Sequence, residues 1–167
     1  MTHPLVLQYQ FAREKWFELL ADMPAEHAAR RFGRMNSISW TVAHLGHVEQ
    51  RAFIEMLGQP RVTEIYQQYD IYKPNVVPPY DEVMAAWKLV MVTTDPLLEA
   101  LTEEDMHRSL LAGGENIGTW LQRLTGHLWY HNGEASAVRQ LIDDRDLPQM
   151  VGSIPVWAAF GTTVERV

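Results

Sequence analysis

Apolar residues recur at helical spacing along nearly the whole chain, and no segment alternates convincingly with the period of two that a half-buried strand requires. From Leu5 to Met23 the positions Leu5, Tyr9, Ala12, Trp16, Leu19 and Met23 form one stripe. Arg13, Glu14 and Glu18 lie off it, and Met23-Pro24 should end this helix. A short basic segment follows, with Gly33 as its break. Ser37 is placed to cap a second long helix that turns Ile38, Val42, Leu45, Ala52 and Met56 inward and stops at Gly58-Gln59-Pro60. Residues Asp70 to Pro79, with three prolines, read as an extended connection. A third helix starts near Tyr80 and carries Val83, Trp87, Val90 and Leu97 on one face, and Pro96 kinks it or restarts it with Asp95 as cap. Thr102 to Asp105 opens a short turn and Gly113-Gly114 is a link. The fourth long helix spans about Ile117 to Asp143. Its stripe runs through Trp120, Leu124, Val138 and Leu141. Four long amphipathic helices with short and medium loops predict an all-α four-helix bundle.

That last helix holds the most specific chemistry. His127, His131 and Glu134 follow one another at steps of four and three. At about 100° per residue their side chains fall within roughly 40° of each other. Two imidazoles one turn apart can grip one metal ion, and a carboxylate one turn further on can ligate it, orient an imidazole or act as a general base. The three polar groups interrupt an apolar stripe, where burial is costly unless a partner satisfies them. A pair of histidines hydrogen-bonded in a bundle would look the same from this spacing alone. On the second helix, Trp40, His44, His47 and Arg51 share a face beside the apolar one, and Glu49 lies nearer the core. For Glu49 an ion pair with Arg51 or Arg139 is the competing structural role. His3, at the terminus, and His27 and His107, in loops, read as surface residues.

Composition narrows the chemistry further. The 167 residues suit a single domain, its core about 5–143, with an apolar tail, 144–167, packing on the bundle or at a dimer contact. The Val156-Trp157-Ala158-Ala159-Phe160 run in that tail is too apolar to dangle in water. A net charge of −7 disfavours a nucleic-acid surface, and Arg30, Arg31 and Arg34 read as a solvated face. There is no cysteine, which removes disulfides, thiolate nucleophiles and cysteine-ligated metal sites together. No apolar run approaches a membrane span, and the amino terminus has no basic segment followed by an apolar one. A cytoplasmic protein is the expectation.

The residues Ser39-Trp40 with His44-Leu45 and Glu49, then His127, His131, Gly133 and Glu134, together with the proline-rich stretch from Lys73 to Pro79, make the chain resemble the DinB/YfiT-like superfamily from about Leu5 to Leu141. The resemblance implies a metal-binding four-helix bundle with His44, His127 and His131 as ligands of one divalent ion. Three imidazoles suit zinc, nickel, iron or copper alike. It also implies a homodimer. Within the family, roles differ: the small thiol S-transferases are nearest in size, and the tail has no counterpart. The expectation is a metal-dependent enzyme, an S-transferase using an external low-molecular-weight thiol or a hydrolase, with Glu134 as the candidate catalytic group. The alternative is a non-catalytic homodimer whose metal is structural or sensory.

Overall fold

The computed structural model describes residues 1–69, 76–109, 114–142, 146–149, 151–152, 154–159 and 161. Among them the fold is all-α, as expected: α1 (Pro4–Leu19), α2 (Ala25–Ala28), α3 (Ile38–Phe53), α4 (Ile65–Gln68), α5 (Tyr80–Glu99), α6 (Glu103–Met106) and α7 (Ile117–Ile142). One isolated bridge, Ser109 with Asn116, is the sole extended pairing described. No described helix is long and apolar enough to cross a membrane.

The described residues fall into two compact units. The first joins residues 1–21, 98–136 and the described tail from 146. His3 caps α1 by accepting from the Leu5 amide at 3.1 Å, with Pro4 opening the helix and Glu103 paired to the other ring nitrogen at 3.0 Å. It is therefore a capping residue and not a plain surface histidine. The helix ends at Leu19, four residues before Met23. Val6, Tyr9, Ala12, Trp16 and Leu19 are buried, and so is Arg13, whose guanidinium lies 5.6 Å from the Tyr9 ring centre. Arg13, which lies off the expected stripe, is nonetheless buried with its cation against an aromatic face. Thr102 and Asp105 form a reciprocal capping box, so the segment read as a turn is the short helix α6. Asn132 on α7 donates to the Ala12 carbonyl at 3.2 Å, tying α7 to α1. The tail packs on α1: Ala158 is buried, its carbonyl accepts from Gln8, and Trp157 meets Phe11 edge to face at 6.2 Å. Phe160 and the residues after Gly161 lie outside the described residues.

The second unit comprises 22–97 and the end of α7 from Ala137. Gly33 turns the basic segment at φ 58°, and His27 sits on the single turn of α2 rather than in a loop. Ser37 caps α3 as expected, accepting from the Trp40 amide at 3.1 Å. The α-helix stops at Phe53. A 3₁₀ turn over Glu55–Leu57 closes on Gly58 at φ 78°, leaving Met56 half-buried. Gln50 is wholly buried. Its oxygen accepts from the amides of Val62 and Thr63 at 3.2 and 3.1 Å, and its nitrogen donates to the Thr63 carbonyl at 3.1 Å. Helix α5 runs unbroken through Pro96, which places Asp95 inside the helix and not at the cap position expected of it. The carbonyl that Pro96 cannot serve belongs to exposed Val92, where water can replace the lost donor. Its inward row is Val83, Trp87, Val90, Thr94 and Leu98, with Leu98 in place of the expected Leu97. Residues 70–75 of the proline-rich connection, Gly113 and Asp143 lie outside the described residues.

Candidate metal centre

Helix α7 buries Ile117, Leu121, Leu124, Leu128, His131, Asn132, Ala135 and Val138. This stripe is rotated from the one expected: Leu141 is exposed and Trp120 half-buried. Both are apolar but sit one row over, and the long helix offers two apolar rows that sequence spacing does not separate. The consequence is local. His131 lies in the core row, whereas His127 and Glu134 lie at its edge, each half-buried. Within this row Glu134 Oε2 meets His131 Nδ1 at 2.8 Å, and His131 Nε2 meets His127 Nε2 at 3.0 Å. A carboxylate on Nδ1 takes that nitrogen's proton in hydrogen bonding and presents Nε2 with its lone pair outward, the tautomer a metal ligand needs. Tyr130 braces the same ring edge to face at 4.9 Å. Burial, followed by the neighbouring His131 and then Arg123, lowers the pKa of His127 to about 4. His127 is thus neutral at pH 7 and free of proton competition for a metal.

Helix α3 supplies the other motif block. His44 is half-buried and stacks on the indole of Trp40, one turn earlier, with ring centres 4.9 Å apart and planes 9° from parallel. His47 lies edge-on to Tyr66 at 5.9 Å. Burial lowers its pKa against the opposing pull of Glu55, with Arg51 and Arg61 adding to the depression. Arg51 is exposed, and Arg139 is buried and donates to Asp22 at 3.2 Å. Glu49 is 1 % exposed and accepts from Trp87 Nε1 at 2.8 Å and Thr94 Oγ1 at 2.6 Å. Trp87 and Thr94 are hydrogen-bond partners that the sequence did not point to. Both lie on the apolar row of α5, where an indole and a threonine pass for packing.

One ring nitrogen from each of His44, His127 and His131 lies within 4.8 Å of the others, and this is the one group among the described residues arranged to hold a metal ion. Neither His47 nor Glu49 belongs to it. The donor set fits a divalent ion: adjacent nitrogens on a tetrahedral zinc lie roughly 3.3 Å apart, close to the His127–His131 separation, and imidazoles suit borderline metals. Three protein donors of one chemical kind leave coordination positions over, which is how catalytic sites differ from closed structural ones.

Comparison with known families matches the DinB superfamily over residues 8–135. No match was found among curated proteins or among solved structures. The matched region runs from α1 into α7 and includes His44, His127, His131 and Glu134, the blocks on which the resemblance rested. The chain belongs to the DinB superfamily.

Proposed function

We propose that the protein is a metal-dependent enzyme in which His44, His127 and His131 hold one divalent ion, zinc, nickel or iron, leaving a position for water or substrate. The observation that carries this is the convergence of the His44 ring nitrogen with those of His127 and His131, more than eighty residues later in the sequence. Supporting it, His127 is kept neutral and Glu134 fixes the tautomer of His131.

When bound, such an ion acts as a Lewis acid and brings a coordinated water or thiol toward ionisation near neutral pH. The chain itself holds the ligands and orients them. Glu134, engaged with His131 Nδ1, serves in this reading as a positioning group, and the proton of the nucleophile passes to solvent or buffer. The absence of cysteine means that a sulfur nucleophile comes from outside, and we read the activity as transfer from a low-molecular-weight thiol, with hydrolysis the second reaction class. We take the working form to be a homodimer, which light scattering checks.

The test is elemental analysis of protein purified without affinity-column metal, followed by a thiol-transfer and hydrolysis screen with that metal restored. About one equivalent of metal, lost in the triple His→Ala variant, together with metal-dependent turnover supports the reading. One equivalent with no turnover would point to a structural or sensory ion. Unchanged metal content in the triple variant would defeat the site.

A further inference from the structure

Trp40 lies face to face with one of the three candidate ligands, so its contact depends on whether the ring beneath it carries charge. We propose that Trp40 is a positioning residue for the metal centre: its indole holds the plane of His44, and the stack strengthens when that imidazole binds a cation. The inference rests on the three-histidine reading above and adds to it a residue that tunes affinity.

The stack is nearly parallel, at 9°, and joins residues one turn apart on the same helix. The Trp40 backbone is fixed in the first turn of α3. Its amide is taken by the Ser37 hydroxyl at 3.1 Å, and the Thr41 hydroxyl donates to the Ser37 carbonyl at 3.2 Å beside it. Half-burial restricts the rotamers of both rings. An imidazole on a free χ2 axis can sweep its ring nitrogens through a wide arc. Lying flat against a half-buried indole narrows that arc, so less freedom is lost when a metal is bound.

A second effect acts in the same direction. Indole presents a negative π face, and a ligated imidazole gives up electron density to the metal and becomes more positive. The Trp40–His44 attraction is therefore larger with metal than without. Only such a difference between states can change affinity.

The experiment is a zinc titration against a competing chelator, run on the full chain with thermal unfolding of the metal-free protein alongside. Trp40→Leu should weaken zinc binding about three- to tenfold, and Trp40→Phe should recover most of it. In a His44→Ala background Trp40→Leu should have no further effect on zinc. A merely structural role would lower the unfolding midpoint and leave the zinc affinity of the folded protein untouched. That result overturns the proposal, as does an equal loss of affinity with and without His44. If Trp40→Leu fails to fold, the ring-proton resonances of His44 in the parent protein decide. Upfield resonances that move further on adding zinc support the stack, and resonances at ordinary positions in both states overturn it. Parent protein that binds no zinc, nickel or iron at the histidines defeats the three-histidine reading itself, an outcome distinct from equal binding by parent and variant.

Discussion

Glu49 on α3 and Glu134 on α7 look alike in sequence, each a carboxylate a few residues after a candidate metal ligand. The structure separates them. Glu49 is buried and accepts from two neutral donors of α5, an indole N–H and a hydroxyl, which spread and stabilise its charge. Glu134 keeps 18 % of its side chain exposed and spends its hydrogen bond on His131, whose other nitrogen faces His127. One carboxylate staples α3 to α5, and the other governs how an imidazole presents itself. A carboxylate's partner, not its distance along the helix from a histidine, decides its role.

The sharpest way to break this comparison is to remove the ligand that Glu134 serves. His131→Ala should weaken metal binding by more than about a hundredfold, beyond what loss of an outer partner costs, as read by chelator competition. Near-parental affinity would mean that Glu134 orients nothing of consequence. Next in size, Glu49→Leu strands the Trp87 and Thr94 donors in the core and should lower stability by about 3 kcal/mol in denaturant unfolding. Metal affinity of the protein that remains folded should change little. A variant as stable as the parent would show that the staple is idle.

Glu134→Ala should behave in the opposite way, losing roughly ten- to a hundredfold in metal affinity. Unfolding of its metal-free form should move by about 1 kcal/mol, less than for Glu49→Leu, because one buried donor rather than two loses its partner. If the two glutamate variants gave the same pattern, the distinction would collapse.

The smallest effect is one of pH. His127 is depressed from 6.5 to about 4 in the folded chain, so between those values the unfolded chain binds more protons. Stability of the metal-free protein should then be fully present above pH 6.5 and decline as pH falls toward 4. Solvent screening at this half-buried site keeps the decline modest. Thermal midpoints from pH 7 to 4 check it: His127→Gln should flatten that slope, and an unchanged slope would assign it to other groups.

How much of this was readable beforehand follows from range. Helices α1, α3, α5 and α7 were legible because each carries several turns of 3.6-residue pattern. Helices α2, α4 and α6 are single turns, too short to show a period. The His127–His131–Glu134 row is local to one helix, so spacing alone suggested it. His44 was reached through family resemblance, since no local rule joins residues so distant in sequence. The partners of Glu49 were out of reach for the same reason: they are contacts between helices. The phase of α7 differs from the one its spacing suggests because Trp120 and Leu141 are apolar yet tolerate exposure, and periodicity weighs composition without seeing neighbours. Gly46 is another such case. A Cβ there would lie 2.2 Å from the Tyr66 hydroxyl, a close approach invisible in a helix whose glycine merely looks unfavourable.

The Gln50 amide also bears on what the chain tolerates. Because that side chain grips Val62 and Thr63 from inside α3, the anchor of the returning segment does not depend on the residues between. Gly58, Gln59 and Pro60 lie exposed within the bracketed stretch. Loop closure grows only slowly with length, so an insertion there would cost little. The turn is thus a natural port for grafting a tag or fluorophore while leaving both histidine-bearing helices as they are.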